Sequence, residues 1–364
     1  MKYVSEYRNK EAIKYFFEKI MGYEGTPLTF MEVCGGHTMA IQRFGIPDLL
    51  PASIRLISGP GCPVCVTSSG YIDEAIHLAR QNDTIIATYG DLIRVPGGEN
   101  SLEQEKANGA DVRIVYTSMD ALNLAKNNPD KKVIFLGIGF ETTAPASAVA
   151  IDEAFRQNTS NFFVLSAHKL MPPAMEALIH EGVGIDGYLA PGHVSVITGS
   201  EIYRFIAERY KLPVVISGFE PVDMLQSIYL LLHQIMSKAP KVDIQYRRAV
   251  KKEGNIKARS ILNKVFEPSD TWWRGLGTIK KSGLKIKHRF QIHDAQQFIP
   301  QNLVKSQEPS GCICGEILKK KKKPLDCRLF GKVCHPSNPV GACMVSGEGT
   351  CHAYYKYQSV EDES

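Results

Sequence analysis

Two cysteines three residues apart lie in GPGCPVCVT, residues 59–67, directly after a Gly-Pro-Gly turn. A pair at this spacing, here Cys62 and Cys65, suits a redox-active disulfide, one half of a zinc site, or a site for another soft metal. The residues that follow predict a helix, whose N-terminal dipole would lower the pKa of both thiols. The local sequence leaves all three kinds of site open.

A second group of cysteines occupies the C-terminal part of the chain. Six fall within forty residues: Cys312, Cys314, Cys327, Cys334, Cys343 and Cys351. The last four are separated by six, eight and seven residues, without the C-x-x-C knuckles that zinc ribbons and fingers usually present. Thiolates from loops rich in glycine and proline suit a [4Fe–4S] cluster, whose irons each take a ligand from a different direction. This favours a cluster over zinc. Cys312 and Cys314 either replace one of the four ligands, form a redox pair beside the cluster, or are inert and buried.

Strands and helices must position these cysteines, and the sequence predicts a regular alternation of both. Short apolar runs alternate with amphipathic helical patterns between about residues 28 and 237. This alternation predicts parallel sheet covered by helices on both faces. The eight predicted strands are residues 28–33, 54–58, 84–89, 112–117, 132–138, 162–167, 187–190 and 213–217. Eight strands also suit a single barrel, but the polar, proline-containing break NNPDKK favours two four-stranded halves.

The predicted fold class is therefore α/β, with two similar Rossmann-like parallel domains that face a cleft. Residues 1–127 form the first of these domains and residues 128–240 the second. From about residue 241 the alternation of strands and helices stops, and residues 241–364 are predicted to form a smaller α+β iron–sulfur domain. The double tryptophan of this region predicts an aromatic anchor in the core or at a domain junction.

Chemically active residues recur directly after the predicted strands. They are Cys34, His37, Cys62, Cys65, Glu141, His168, His193 and Glu220. Ligands of open α/β sheets bind beyond the carboxyl ends of the strands, so two facing sheets would bring these side chains into one cleft. The glycine-rich stretches match neither G-x-G-x-x-G nor the P-loop pattern, which argues against a dehydrogenase or a P-loop nucleotidase.

Charge is unevenly distributed along the chain. Residues 1–240 carry a net charge of −6 and residues 241–364 a net charge of +11, including KKKKK at 319–323. The lysine run predicts a solvated loop, and the aromatic platforms of RNA-binding proteins are not evident.

The N-terminus has no signal-peptide pattern and no apolar run approaches about 18 residues, which predicts a cytoplasmic protein without a membrane span. Nine cysteines there indicate metal or redox chemistry.

Five motifs together resemble the HypD family of hydrogenase maturation proteins. They are CGGHT (34–38), GPGCPVCVT (59–67), GFETTAP (139–145), PGHVS (191–195) and the tail from CICGEIL to EGTCHAYYKY. The resemblance spans nearly the whole chain and implies two α/β domains and a third domain with a [4Fe–4S] cluster. It implies a scaffold, rather than a simple turnover enzyme, for the Fe(CN)2CO part of the [NiFe]-hydrogenase active site. The implied partners are HypC in a stable complex, HypE as transient cyanide donor, and the hydrogenase large subunit through HypC.

The resemblance also implies roles for individual residues. Cys34 would be the thiolate that binds iron, and Cys62 and Cys65 the adjacent thiol pair. His37 either donates a hydrogen bond to cyanide, acts as an acid or base, or is a structural histidine. The remaining predicted residues are Glu141 and His193 at the same site and Cys327, Cys334, Cys343 and Cys351 as cluster ligands.

Two other functions remain open at this stage. An iron–sulfur-linked thiol–disulfide oxidoreductase would share the C-x-x-C pair and the cysteine tail but would need no Fe(CN)2CO unit. An interaction module with a structural zinc tail and a basic partner-binding face would be colourless, whereas an iron–sulfur protein is brown.

Overall fold

The computed structural model describes residues 5–303, 308–319 and 321–357. Within these ranges the strands form two parallel sheets and one antiparallel hairpin. Numbered in chain order, the strands are β1 (Leu28–Glu32), β2 (Ile54–Ser58), β3 (Thr84–Thr88), β4 (Asp111–Ile114), β5 (Lys132–Gly137), β6 (Phe162–Ser166), β7 (Gly187–Pro191), β8 (Val214–Ser217), β9 (Val242–Ile244), β10 (Phe266–Trp273) and β11 (Gly277–Ile286).

The two parallel sheets form the framework of the molecule. The first has the order β2-β1-β7-β8-β9 and the second the order β4-β3-β5-β6. Strands such as β3 and β7 are buried along their whole length, which explains why they appear in the sequence as continuous apolar runs. A mixed α/β architecture with two parallel sheets, consistent with Rossmann-like domains, is thus confirmed.

The chain is divided between the sheets differently from the prediction. One sheet was expected from residues 1–127 and the other from residues 128–240. Instead β1 and β2 join β7, β8 and β9, while β3 to β6 form the second sheet. The assignment of one sheet to each half of the chain is therefore wrong, and β9 adds a strand from the region assigned to the C-terminal domain.

The segment NNPDKK, expected to separate two domains, is a loop inside the second sheet. It connects a helix to β5 and is held by the side chain of Asn161. The amide nitrogen of Asn161 lies 2.9–3.0 Å from the carbonyl oxygens of Ala125, Asn128 and Lys131. Polar residues and proline mark a loop, but they do not tell whether that loop lies between domains or within one.

Helices pack on the sheets and connect their strands. They are α1 (Lys10–Met21), α2 (Gly35–Arg43), α3 (Pro63–Val66), α4 (Ser69–Ala79), α5 (Leu102–Ala107), α6 (Ser118–Asn127), α7 (Ala144–Arg156), α8 (Met171–His180), α9 (Gly192–Thr198), α10 (Arg204–Tyr210), α11 (Pro221–Met236), α12 (Ile256–Val265), α13 (Cys314–Leu318), α14 (Ala342–Val345) and α15 (Thr350–Tyr357). Their starts follow local chemistry, as where the Ser68 hydroxyl accepts a hydrogen bond from Tyr71 N at 3.1 Å and caps α4.

The C-terminal region consists of the β10–β11 hairpin followed by short helices and loops. Trp273, at the end of β10, is fully buried and stacks on Phe140 with ring centroids 5.9 Å apart. It joins the hairpin to the second sheet, so the predicted aromatic anchor is confirmed for this residue. Trp272 is 39% exposed.

Two sequence features lie at the surface or outside the described ranges. Within the lysine run 319–323, Lys319 lies 3.7 Å from Glu181, Lys321 to Lys323 are exposed, and Lys320 lies outside the described residues. Among the residues described, no helix is both long enough and apolar enough to cross a membrane.

Candidate functional site

The loops after β1 and β2 are in direct contact. Gly35 N donates to Gly61 O at 3.0 Å. A Cβ atom on Gly61 would lie 2.2 Å from the Cys34 backbone nitrogen and 2.5 Å from its Cα, so only glycine permits this approach. The CGGHT loop and the C-x-x-C loop therefore form one site at the carboxyl edge of the first sheet, as the strand pattern predicts.

The contact at Gly61 gives a testable prediction. Gly61→Ala is expected to lower the free energy of unfolding by about 1–3 kcal/mol, because the new methyl group overlaps backbone atoms that cannot move aside. Gly22→Ala is the matched control, since the atom nearest to its added Cβ is 3.6 Å away. Urea unfolding of both variants measures the difference, and equal stabilities would contradict the contact.

Acidic groups surround Cys34 at the start of α2. Cys34 N donates to Glu32 Oε2 at 2.9 Å, and the Thr38 hydroxyl donates to Glu32 Oε1. Glu348, from the C-terminal region, packs against Gly35 and interacts electrostatically with Cys34. Burial raises the pKa of the Cys34 thiol to about 12, and the charges of Glu348 and Glu32 contribute to that increase. Such a thiol stays protonated near neutral pH until a cation displaces its proton.

The environment of Cys34 predicts slow alkylation of its thiol. At pH 8 we expect iodoacetamide to modify Cys34 roughly a thousandfold more slowly than in the urea-unfolded chain, because the thiolate is the reactive form. The rate should increase about tenfold for each pH unit while the fold persists. Peptide mapping by mass spectrometry gives the rate at this position. A rate independent of pH, or equal in the folded and unfolded chains, would contradict the raised pKa.

Cys62 and Cys65 form a disulfide with their Cα atoms 5.2 Å apart. Cys62 precedes α3, and both side chains are buried. Cys65 Sγ lies 4.0 Å from Ala342 O, which places the pair against the C-terminal cysteine region. The prediction that this pair can be bridged is confirmed, as is the helix that follows Cys62.

His37 lies behind Cys34 and is fully buried. Its Nε2 donates to the carbonyl oxygen of Ser217 at 3.1 Å, because a carbonyl can only accept. Burial lowers the pKa of His37 to about 4, so the ring is neutral at pH 7. Its Nδ1 is then an acceptor and has no partner among the residues described. This arrangement suits a base or an acceptor better than a donor to cyanide.

An aromatic side chain connects His37 to His193. Phe219 lies 4.7 Å from the His37 ring and 4.1 Å from the His193 ring, measured between centroids. Gly36, next to Cys34, also faces Phe219, because a Cβ atom on Gly36 would lie 3.1 Å from its ring. His193 itself is exposed. The predicted His193 therefore belongs to the same edge of the first sheet as Cys34.

Glu141 follows β5 of the second sheet. It is 3% exposed, its Oε1 accepts from Met171 N at 3.0 Å, and its Oε2 has no partner among the described residues. Burial raises the pKa of Glu141 to about 7. Tyr203, which is fully buried, interacts electrostatically with both Glu141 and Cys34. That the carboxyl edges of the two sheets face each other across one cleft stays a prediction.

Two of the predicted residues that follow strands, His168 and Glu220, form hydrogen bonds or ion pairs with residues outside the Cys34 site. His168 is buried, and its ring nitrogens lie 3.1 Å from Ser147 Oγ and 3.2 Å from Ser166 Oγ, which accounts for it as a structural histidine. Glu220 forms a bidentate ion pair with Arg8.

Five cysteines of the C-terminal region lie together, and we call them the tail cysteine group: Cys312, Cys314, Cys334, Cys343 and Cys351. The sulfur atoms of Cys312 and Cys314 are 3.2 Å apart. Cys351 forms a hydrogen bond with Cys314 and interacts electrostatically with Cys343. Cys334 interacts with Cys312 and Cys314. Gly341 makes room for the group, because a Cβ there would lie 2.5 Å from Cys312 Sγ.

Cys327 is half-buried and lies seven residues before Cys334 in the sequence. Its carbonyl oxygen accepts a hydrogen bond from Phe330 N at 3.0 Å. Among the residues described, no three His, Cys, Asp or Glu side chains could together hold a single metal ion. A cluster takes one thiolate at each of four irons, and the donor set of this region, six cysteines in short loops, fits that requirement. Which four cysteines would serve as ligands stays a prediction, because Cys312 and Cys314 belong to the tail cysteine group and the predicted ligand Cys327 does not.

Sequence reasoning missed several side chains of this site. Glu32 is detectable, because it is the one charged residue in the buried run LTFMEV. Phe219 and Tyr203 resemble ordinary core residues, and Glu348 lies far along the chain from Cys34. Only the folded structure brings these three to the site.

The chain is similar in sequence to a known protein family. A family model named HypD and described as "Hydrogenase formation hypA family" matches residues 11–358. The chain is 46% identical over 374 residues to hydrogenase maturation factor HypD2 of Bradyrhizobium diazoefficiens, covering 100% of this chain and 98% of that protein. It is 44% identical over 374 residues to hydrogenase maturation factor HypD of Escherichia coli, covering all of both chains. Hydrogenase maturation factor HypD of Cupriavidus necator is 43% identical over 373 residues, covering 100% of this chain and 98% of that protein.

This chain is thus a hydrogenase maturation factor with two parallel α/β sheets, and Cys34, Cys62 and Cys65 follow strands of the first of them. The chain belongs to the HypD family.

Proposed function

We propose that this protein is the scaffold on which the Fe(CN)2CO unit of [NiFe]-hydrogenase is assembled, with Cys34 as the ligand of the iron being built. The observation that carries the proposal is the contact between the CGGHT and C-x-x-C loops, where Gly35 N meets Gly61 O at 3.0 Å. This contact supports a single site that combines a metal-binding thiol with a dithiol pair. Low-spin iron carrying cyanide and carbon monoxide is soft, and thiolates are its preferred protein ligands.

The charges around Cys34 support the binding of a cation. Glu32 and Glu348 interact with Cys34, and the carboxylates that disfavour its thiolate favour a metal cation at the same place. The unpartnered Nδ1 of the neutral His37 ring is a hydrogen-bond acceptor beside this loop. Glu141, whose pKa burial raises to about 7, can hold or release a proton near neutral pH.

One thiolate and one histidine are too few ligands to hold iron tightly, so a partner supplies another. We propose that HypC covers the cleft and contributes its N-terminal cysteine. HypE delivers cyanide transiently, and HypC then carries the unit to the hydrogenase large subunit. The loops around Cys34 belong to the acidic part of the chain, residues 1–240, and the partner is placed there rather than on the basic tail.

We further propose that the C-terminal cysteines hold a [4Fe–4S] cluster. The predicted ligands are Cys327, Cys334, Cys343 and Cys351, with Cys312 and Cys314 beside them. When bound, such a cluster accepts or supplies single electrons. Ala342 O lies 4.0 Å from Cys65 Sγ, so the chain brings the dithiol pair next to Cys343.

Infrared spectroscopy tests the scaffold function. The chain, isolated anaerobically with HypC from cells that also contain HypE, is expected to show bands of metal-bound cyanide and carbon monoxide. The same sample is expected to be brown from the cluster. A brown complex without those bands, isolated under conditions in which the hydrogenase matures, would refute the scaffold.

The second candidate is a cluster-linked thiol–disulfide oxidoreductase. The observation in its favour is the buried Cys62–Cys65 disulfide, which lies against the tail cysteine region. A brown protein that exchanges disulfides with a partner and never carries cyanide or carbon monoxide would favour this function.

A further inference from the structure

Arg274 lies in the turn of the β10–β11 hairpin and has no part in the proposed chemistry. It is 2% exposed, which is unusual for arginine. Its backbone nitrogen donates to Val66 O at 3.1 Å. Its guanidinium donates to Thr67 O from Nε at 3.1 Å and from Nη2 at 2.8 Å. Arg274 thus binds the carbonyls of the two residues that follow Cys65.

The other side of the same turn contacts the tail cysteine group. Gly275 has a φ of +80°, and a Cβ there would lie 2.7 Å from Gly315 Cα, so the two backbones touch next to Cys314. The guanidinium interacts electrostatically with Cys312, Cys314 and Cys343. The hairpin turn therefore lies between the C-x-x-C loop and the tail cysteines and contacts both.

Arg274 has one acidic partner among the residues that the structure describes. Its ion-pair partner is Glu308, which is 34% exposed and also accepts a hydrogen bond from Ser69 Oγ at 3.1 Å. Arginine keeps its charge in proteins, and a buried cation favours negative charge next to it. Besides Glu308, the groups near the guanidinium that can carry negative charge are the cysteine sulfurs.

We propose that Arg274 is a positioning residue that clamps the Cys62–Cys65 loop to the tail cysteine group and holds a positive charge beside that group. The clamp depends on the planar fork of arginine, which gives two donors to one carbonyl. The charge raises the reduction potential of an anionic iron–sulfur cluster, because net charge and hydrogen bonds near the sulfurs set that potential. This second part rests on the proposed cluster.

Three variants separate the clamp from the charge. Arg274→Lys keeps the charge but loses the fork, Arg274→Gln keeps a donor but loses the charge, and Arg274→Met loses both. Arg156→Gln is the control, since Arg156 is an exposed arginine that pairs with two acidic residues of its own helix. Each full-length protein is studied with its cluster and, separately, after a chelator has removed the cluster iron.

The first measurement is the rate at which dithiothreitol reduces the Cys62–Cys65 disulfide, followed by alkylation and mass spectrometry. We expect all three Arg274 variants to react about tenfold faster than the wild type, because reduction of a buried disulfide requires local opening of its loop. The Arg156→Gln control should react at the wild-type rate. Wild-type rates in all Arg274 variants would overturn the clamp.

The second measurement is the midpoint potential of the cluster in a redox titration followed by electron paramagnetic resonance. Arg274→Gln and Arg274→Met should shift it by about 59 mV to more negative values, a tenfold change for one electron, whereas Arg274→Lys should stay near wild type. If Arg274 had a purely structural role, Arg274→Lys and Arg274→Gln would shift the midpoint potential equally. That result would overturn the proposal that the charge of Arg274 sets the potential. If the wild type takes up no cluster, the cluster proposal and the charge part fail together, while the reduction rates still decide the clamp.

Discussion

Replacing Cys343 or Cys351 with alanine is expected to abolish the visible absorption of the iron–sulfur cluster and to destabilise the C-terminal region. Both side chains are buried within the tail cysteine group, and a cluster that loses one thiolate ligand is no longer held at that iron. Metal binding also contributes to folding, so the unfolding temperature should fall together with the colour. Anaerobic purification, absorption spectra and thermal unfolding measure both effects.

The same measurement on the other four tail cysteines decides the ligand set. Alanine at Cys327 or Cys334 should bleach the protein as well, whereas alanine at Cys312 or Cys314 should leave the spectrum intact. An intact spectrum in two or more variants of the predicted four would refute the assignment. Loss of colour in a Cys312 or Cys314 variant would show that this cysteine is a cluster ligand in place of one of the predicted four.

Asp223→Ala is expected to lower the free energy of unfolding by about 3–5 kcal/mol, because it leaves a partly buried arginine and three further donors without their buried acceptor. Asp223 is fully buried and forms a bidentate ion pair with Arg248 at 2.5 and 2.8 Å. It also accepts from Gln245 Nε2 at 2.8 Å and from the backbone nitrogens of Phe219 and Glu220, both at 3.1 Å. Denaturant unfolding gives the loss of stability.

A matched control separates this buried pair from an ordinary surface pair. Glu208→Ala removes one of the two acidic partners of Arg204, where both side chains of the pair are more than half exposed, and should cost at most about 1 kcal/mol. Because Asp223 holds the loop of Phe219 against His37 and His193, iron loading at Cys34 should also fall in Asp223→Ala. Equal stabilities of the two variants would contradict the account of this loop.

The sequence predicts the strands well because buried parallel strands have a local signature. Runs such as TIIAT and KVIFLG are apolar on both faces, and the structure has them as β3 and β5. The pattern does not reveal which sheet a strand joins. β1 pairs with β7, more than 150 residues away, through backbone hydrogen bonds that any apolar strand can form.

The site is partly predictable for a similar reason. Cys34 and Cys62 each follow a strand, and neighbouring parallel strands end at the same edge, so their contact follows from the order of elements. Glu348 and Arg274 reach the site from the C-terminal region by tertiary packing. Neither has a local pattern that distinguishes it from an ordinary surface charge, although Arg274 is buried in the fold and Glu348 packs against Gly35.

The central claim is that Cys34 holds the iron of the Fe(CN)2CO unit, and the infrared spectrum of Cys34→Ala in complex with HypC tests it most directly. We expect the cyanide and carbon monoxide bands to vanish, the cluster absorption to persist, and the complex to weaken only modestly. Cys62→Ala and Cys65→Ala should impair ligand loading or reduction more than HypC binding. A Cys34→Ala complex that kept its full cyanide and carbon monoxide bands would contradict the account and would make GPGCPVCVT the metal site, with CGGHT as its support.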